Sequence, residues 1–104
     1  MKQNREFQFV YKRGKSAHAH SLVLFYLPSS HDKKIGYTAS KKVGNAVIRN
    51  RSKRRLRALF SEYCDQMNDG QYILVAKAAI SKTSYESLKY EYKKVLKKAG
   101  VIHG

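Results

Sequence analysis

A dense run of positive charge in the middle of the chain most constrains how it can fold. Between Lys41 and Arg57 lie 17 residues, of which eight are lysine or arginine and none is a carboxylate. The eight are Lys41, Lys42, Arg49, Arg51, Lys53, Arg54, Arg55 and Arg57. The same segment has the hydrophobic period of a helix, and like charges one turn apart destabilise an isolated helix. Either tertiary packing holds this helix in place, or a polyanion binds against it.

Apolar side chains on the same segment indicate that packing holds the helix. They fall within about 100° of one another at 100° per residue, as on the buried side of an amphipathic helix. This stripe consists of Leu56, Leu59, Phe60, Tyr63 and Met67. The opposite side carries Asn50, Arg51, Arg54 and Arg57, with Lys53 and Arg55 at its edges. We expect Asn45 to cap the start of this helix.

A short helix and three β-prone runs precede the basic helix. In NREFQFVYKRG, Phe7, Val10 and Tyr11 are spaced i, i+3, i+4, which predicts a helix that Asn4 caps and Gly14 ends. We expect KSAHAH to form a short edge strand, SLVLFYL a buried strand, and KIGYTAS a strand with two different faces. A turn at residues 28–32 separates the last two runs, so they are predicted to pair as a hairpin.

One strand and one helix follow the basic helix. A turn at residues 68–70 leads into a predicted strand over residues 71–77. The last helix is expected to open with a capping box formed by Thr83 and Glu86 and to end at Gly100. Its predicted apolar stripe contains Tyr85, Leu88, Tyr92, Val95, Leu96 and Ala99. The predicted fold class is therefore α+β, an α-β-β-β-α-β-α sandwich of one small sheet and helices, in one domain spanning residues 1–104.

The charge of the whole chain indicates the class of its partner. Lys and Arg number 22 against seven Asp and Glu, for a formal net charge of +15. Such a field attracts polyanions, and we favour nucleic acid over an anionic membrane or an acidic protein. The longest apolar run, LVLFYL, is too short to cross a bilayer, and the first residues lack the apolar segment of a signal peptide. Because the single Cys64 suits a reducing cytosol, a cytoplasmic protein is expected.

Signatures of a protein-borne active site are weak. The chain contains no Gly-rich phosphate loop, no G-x-S-x-G, no C-x-x-C and no H-E-x-x-H. His18 and His20 would share a face of a strand, but a solvated pair is the better interpretation than a metal site. Glu62 and Asp65 lie on one side of a helix without an evident acid–base partner. We therefore predict no catalytic residue and no metal ligand in this chain.

Signatures of nucleic-acid binding are strong by comparison. The basic helix uses five arginines, whose guanidinium groups pair bidentately with phosphate oxygens and stack on bases. A solvated helix face with counterions is the simpler interpretation, but no Asp or Glu offsets the repulsion there. Five aromatic residues outside this helix are candidates for stacking on unpaired bases, although a small domain also needs aromatic side chains in its core. They are Phe7, Tyr11, Phe25, Tyr26 and Tyr37.

KKVGNAVIRNRSKRRLR closely resembles the signature helix of the bacterial ribonuclease P protein family. The triplet Arg49, Asn50 and Arg51, followed by basic residues at the same spacing, carries the resemblance. The preceding SKKVGNAV, the N-terminal REFQFVYKRG and the order of elements also match. The resemblance implies the same α-β-β-β-α-β-α sandwich, with a left-handed β-α-β crossover around the basic helix, against the general right-handed preference.

The resemblance also implies a function. Proteins of this family accompany a catalytic RNA, which holds Mg²⁺ ions and removes the 5′ leader of precursor tRNA endonucleolytically. Residues expected to dock on the catalytic RNA are Lys41, Lys42, Arg49, Asn50, Arg51, Lys53, Arg54 and Arg57. A cleft for the single-stranded leader is expected at Phe7, Tyr11 and Phe25. The implied partners are the catalytic RNA and the precursor tRNA leader, with no membrane, no small-molecule substrate and no cofactor held by the protein itself.

Three other functions stay open at this point. A basic ribosomal or nucleoid protein would bind RNA or DNA without taking part in tRNA processing. A nuclease with its own site would cleave RNA unaided and would depend on carboxylates such as Glu62 or Asp65. A cationic membrane-surface protein would need exposed apolar residues, whereas Leu56, Leu59 and Phe60 are expected in the core.

Overall fold

A computed structural model describes residues 4–29 and 33–102. The helices are α1 (Asn4–Arg13), α2 (Ala46–Tyr63) and α3 (Tyr85–Ala99), and the strands are β1 (Lys15–His18), β2 (Leu22–Pro28), β3 (Lys34–Ala39) and β4 (Gly70–Ala76). Short 3₁₀ helices occupy Lys41–Val43, Cys64–Gln66 and Ala78–Lys82. The predicted order of elements is therefore confirmed. Part of the predicted turn at residues 28–32, and the side chain of Asn4, lie outside the described residues.

The strands form one mixed sheet in the order β1-β2-β4-β3. β4 pairs antiparallel with β2 from Leu22↔Ala76 to Pro28↔Gly70 and parallel with β3 from Lys34↔Gln71 to Ala39↔Ala76. The prediction that β2 and β3 form a hairpin is wrong, since β4 lies between them. The alternation of residues along a strand indicates which side chains are buried but not which strand is its neighbour. The apolar β4 forms the backbone hydrogen bonds with both β2 and β3. The tight hairpin is instead β1–β2.

Helices cover the two faces of the sheet unequally. α2 lies over β3 and β4 and α3 lies over β1 and β2, and the core between them and the sheet includes Leu24, Leu74 and the fully buried Tyr72. The other face is covered by α1, which contacts β2 and β4. Because β3 and β4 are parallel, α2 is the crossover that joins them. Its left-handed sense, implied by the resemblance, stays a prediction.

The basic helix α2 begins and packs as its sequence predicts. The Asn45 side chain accepts a hydrogen bond from the Ile48 backbone N–H at 3.0 Å, which satisfies one of the free donors of the first turn. The predicted apolar stripe faces the core: Leu56 and Leu59 are fully buried, Tyr63 and Met67 nearly so, and Phe60 is half-buried. Packing of this stripe therefore holds the helix despite its charge.

The start of α3 differs from the prediction by one residue. Ser84 is the N-cap and accepts a hydrogen bond from the Ser87 N–H at 3.2 Å. Thr83 is instead turned toward the preceding 3₁₀ helix, where its hydroxyl donates to the Ala79 carbonyl at 2.9 Å. Tyr85, the first residue of α3, is 38% exposed, so the prediction that it belongs to the buried stripe is wrong. Gly100 ends the helix as predicted, in the left-handed conformation with φ of 70°.

Candidate nucleic-acid interface

The positive charge of α2 is displayed on a continuous exposed surface, called here the α2 basic surface. It combines the exposed side of α2 with the 3₁₀ turn that leads into it. Its exposed members are Lys41, Lys42, Asn50, Arg51, Arg54 and Arg57. Arg49 and Lys53 are only partly exposed, and the Nε atom of Arg49 is buried. Six of the eight predicted RNA-docking residues are thus exposed, and the other two are half-buried.

An apolar side chain lies within this surface. Val47 is 66% exposed and, with Asn50, Arg51 and Arg54, lines an open depression of about 240 Å³. The sequence interpretation missed Val47. Its spacing from Asn50 and Arg51, at i+3 and i+4, places it on the arginine side of the helix and was a sufficient signal. An exposed apolar group beside an amide and two guanidinium groups offers a nucleotide contacts for its base as well as for its phosphate.

A tyrosine on β3 supports one of the arginines. The Arg57 guanidinium carbon lies 5.5 Å from the centroid of the Tyr37 ring, within the range of a cation–π contact. Burial raises the pKa of Tyr37 to about 12, although the positive charge of Arg57 acts in the opposite direction. The phenol is therefore neutral at physiological pH. Tyr37 is placed to position Arg57, which differs from its predicted role as a stacking platform for bases.

One arginine of the basic run faces the protein. Arg55 is half-buried, and its Nη1 and Nη2 atoms donate to the Ile80 and Thr83 carbonyl oxygens at 2.8 and 2.5 Å. These carbonyls belong to the 3₁₀ helix before α3 and the residue after it. Arg55 therefore ties α2 to this segment, whereas its neighbour Arg54 is exposed.

No carboxylate neutralises the α2 basic surface within the described part of the chain. The ion pairs found there join Lys33 to Asp69 at 3.3 Å and Lys89 to Glu62 at 2.8 Å, and neither involves a residue of this surface. Its charges are consequently left to solvent, counterions or a polyanionic partner.

The three residues predicted to form a leader cleft do come together. Phe7 and Tyr11 on α1 have ring centroids 6.4 Å apart, and Tyr11 meets Phe25 of β2 edge-to-face at 4.7 Å. Tyr11 is 40% exposed, and partial burial raises the pKa of its phenol. This group is called the aromatic cluster below. Tyr26, another predicted stacking residue, is buried against Tyr72 with centroids 4.8 Å apart and is unavailable to a base.

The two candidate binding regions lie on opposite faces of the sheet. Along β2, Leu24 and Tyr26 belong to the core under α2 and α3, whereas Phe25 points to the side of α1. The α2 basic surface belongs to the helical layer on the first face, and the aromatic cluster lies on the second. The sheet therefore separates the two candidate regions.

The carboxylates proposed for a protein-borne nuclease lie near the end of α2 and in the turn that follows it. Glu62 is bonded to Lys89, and Asp65 is exposed in the following 3₁₀ turn. Within residues 4–29 and 33–102, no group of three His, Cys, Asp or Glu side chains is placed to hold a metal ion. Over the same residues, no helix is long and apolar enough to span a membrane.

Comparison with known proteins identifies close relatives. Residues 1–100 match the family model for Ribonuclease P. A Ribonuclease P protein component from a Nitratiruptor species is 47% identical over 98 residues, covering 94% of this chain and 89% of the relative. The structure of Staphylococcus aureus RNase P protein superposes with a TM-score of 0.89 at 28% identity, covering 99% and 96% of the two chains. A mutant of the S. aureus protein with defective mRNA degradation activity is 30% identical with the same TM-score, covering 98% and 88%. The predicted fold class and family resemblance are confirmed.

Proposed function

The chain belongs to the ribonuclease P protein family, and from that membership we propose that it is the protein subunit of a bacterial ribonuclease P. In this proposal it works in the cytoplasm with a catalytic RNA that removes the 5′ leader of precursor tRNA. The single observation that carries the proposal is the α2 basic surface. Its exposed arginines form no ion pair with a carboxylate of the described residues, so they are available to RNA phosphates, and a packed apolar stripe holds their helix in place.

We assign docking on the catalytic RNA to the α2 basic surface. Arg51 and Arg54 present guanidinium forks, which pair bidentately with phosphate oxygens. Asn50 offers an amide to a base edge, and Val47 offers apolar contact in the same depression. Arg57 is oriented by Tyr37 and reaches the same partner. Each phosphate neutralised steepens the dependence of log affinity on log salt by roughly 0.7 to 0.9.

The aromatic cluster is assigned to the single-stranded leader. Tyr11 is 40% exposed and its ring is held by Phe25, so it presents a fixed edge and face to an unpaired base. Base–aromatic stacking contributes about 1–3 kcal/mol per base and tolerates any sequence. That tolerance suits a subunit that must accept leaders of many different tRNA precursors.

Mechanistically, the protein lowers the repulsion between two RNAs and holds the leader while the catalytic RNA breaks the bond. The Mg²⁺ ions are assigned to that RNA. The ion pair between Glu62 and Lys89 supports this division, because Lys89 already neutralises that carboxylate. Binding of the leader raises affinity for precursor over mature tRNA, and neutralisation lowers the Mg²⁺ concentration that the reaction needs.

Reconstitution with a bacterial ribonuclease P RNA tests the docking assignment. Arg51→Ala is expected to weaken binding of that RNA about tenfold, as for one phosphate contact made by a charged group. Arg13→Ala removes the same charge from the end of α1, next to the other face of the sheet, and is expected to leave this binding unchanged. Equal affinities for the wild type and Arg51→Ala would contradict the assignment.

A second pair of variants tests the leader cleft. Tyr11→Ala should reduce the ratio of affinities for precursor over mature tRNA by about 5- to 160-fold, the loss of one stacked base. Tyr85→Ala is the matched control, because Tyr85 is 38% exposed and lies on α3, away from the cluster. An unchanged ratio for Tyr11→Ala would remove the cluster from leader binding.

The alternatives are separated by activity. A ribosomal or nucleoid protein would bind RNA without accelerating 5′ maturation of precursor tRNA at low Mg²⁺. A nuclease with its own site is the second candidate, because a mutant of the S. aureus protein is defective in mRNA degradation. Such a nuclease would cleave RNA without the catalytic RNA. Glu62→Gln or Asp65→Asn would abolish that cleavage. We expect acceleration only in the presence of the catalytic RNA.

A further inference from the structure

A second basic surface lies on α3 and takes no part in the contacts assigned above. Its members project from the exposed side of the helix and are all accessible. They are Lys93, Lys94, Lys97 and Lys98, with Tyr90 beside them at 64% exposure. The Nζ atom of Lys94 lies 5.1 Å from the centroid of the Tyr90 ring. This group is called the α3 lysine surface.

The lysines of this surface form no ion pair in the part of the chain that the structure describes. The carboxylate nearest in sequence, Glu91, is directed inward and accepts hydrogen bonds from the Ser21 N–H and hydroxyl at 2.7 and 2.9 Å. Lys93 and Lys97, like Lys94 and Lys98, are spaced i, i+4 and repel one another.

The helix dipole explains the positions of only two of the four lysines. Cations in the last turn interact favourably with the helix dipole, which explains Lys97 and Lys98. The effect falls off within that turn, so it leaves Lys93 and Lys94 unexplained. An anionic partner along the helix accounts for all four.

The α3 lysine surface and the α2 basic surface belong to the same helical layer of the fold. α2 and α3 pack on the same face of the sheet, and the Tyr63 and Tyr92 rings, 5.6 Å apart, join them in the core. At the surface, Glu62 and Lys89 bridge the two helices. The outward sides of both helices therefore point away from the sheet, and one large polyanion can contact both.

We propose that the α3 lysine surface is a second contact for the RNA backbone, made by the same catalytic RNA that docks on α2. This inference rests on the proposed function. Lysine ammonium groups are compact, hydrated charges without the guanidinium fork, so they suit phosphate contacts that do not read sequence. The α2 surface fixes the position of the RNA and the α3 surface adds affinity.

The composition of the surface argues against other partners. Protein interfaces are depleted of lysine in their centres, whereas lysine dominates here. A membrane-surface helix needs its apolar side free, but that side of α3 is in the core, with Leu88, Tyr92 and Val95 fully buried. RNA phosphate is the occupant that fits.

The test compares two triple variants of the full chain with the same change in charge. Lys93→Gln/Lys94→Gln/Lys97→Gln removes the surface, and Lys12→Gln/Lys15→Gln/Lys34→Gln removes three exposed lysines outside it. Binding of a bacterial ribonuclease P RNA transcript is measured from low to high salt. We expect the α3 variant to reduce the log–log salt slope by about 2 to 2.7, roughly three phosphate contacts, and the control by less than about 0.5.

Further variants keep the outcome interpretable. The corresponding lysine-to-arginine triple variant on α3 should retain the wild-type slope, and thermal unfolding should show that all variants fold. An equal decrease of the salt slope in both glutamine variants would mean that only net charge matters. An unchanged slope in the α3 variant would mean that its lysines do not contact the RNA. Either result overturns the inference. Loss of binding to phosphatidylglycerol vesicles with RNA binding intact would also overturn it.

A variant of α2 separates this inference from the proposed function. If Arg51→Ala/Arg54→Ala loses RNA affinity while the α3 variant does not, the α3 inference alone fails. If the α2 variant also binds as the wild type does, the proposed function fails with it.

Discussion

Two adjacent arginines of the basic run should have opposite roles, and exchanging each for alanine would show this. Arg55 donates to the Ile80 and Thr83 carbonyls at 2.8 and 2.5 Å, whereas Arg54 is exposed and lines the depression on the α2 basic surface. We predict that Arg55→Ala destabilises the fold and that Arg54→Ala weakens RNA binding without destabilising it.

The size of the Arg55 effect follows from the two bonds. Hydrogen bonds to a charged group contribute about 1.5–3 kcal/mol each. Because the side chain is half-buried, water replaces part of what is lost, and we expect a decrease of about 2–4 kcal/mol in the free energy of unfolding. Arg54→Ala should change that free energy by less than about 0.5 kcal/mol, as for most surface substitutions.

Urea unfolding followed by circular dichroism measures both values. For a domain of this size, a loss of 2–4 kcal/mol lowers the urea midpoint by about 1–2 M and the melting temperature by about 10–20 °C. Arg55→Lys keeps the charge but cannot bond both carbonyls as a fork, so its stability should fall between those of Arg55→Ala and the wild type. An Arg55→Ala midpoint equal to that of the wild type would refute the structural role.

Three other predictions concern the framework around the two binding regions. Gly14→Ala should destabilise by more than about 2 kcal/mol in urea unfolding, because its Cβ would lie 2.6 and 2.7 Å from two backbone carbonyl oxygens. Gly100→Ala should cost only about 1 kcal/mol by the same measurement, because open space surrounds its Cβ and only the left-handed conformation is strained. Burial raises the pKa of Tyr37 to about 12 and raises those of Tyr72 and Tyr92 as well, so the folded state favours the neutral phenols. The contribution of these tyrosines to the free energy of unfolding should be complete below pH 10, the ordinary tyrosine pKa. Above pH 10 the free energy of unfolding should fall by up to about 1.4 kcal/mol per pH unit for each tyrosine. A free energy of unfolding that stays constant between pH 9 and 12 would contradict this.

Local features of the fold were predictable from the sequence. The stripe from Leu56 to Met67 and the cap at Asn45 depend only on spacing within one helix, and the structure confirms both. The i, i+4 spacing of Phe7 and Tyr11 likewise placed them on one side of α1. The accessibility of Arg51 and Arg54 follows from their position opposite the stripe.

The partners of each element were decided by the tertiary structure. β2 and β3 have the period of strands, but the order β1-β2-β4-β3 is set by β4, which lies more than 30 residues further along the chain and inserts between them. Arg55 differs from Arg54 because the Ile80 and Thr83 carbonyls approach one of them from a distant segment. Periodicity fixes which side of an element is apolar, because that depends on neighbours a few residues away. Which distant groups meet that side depends on how the whole chain minimises its exposed apolar surface and unpaired backbone groups, and only the folded structure contains that information.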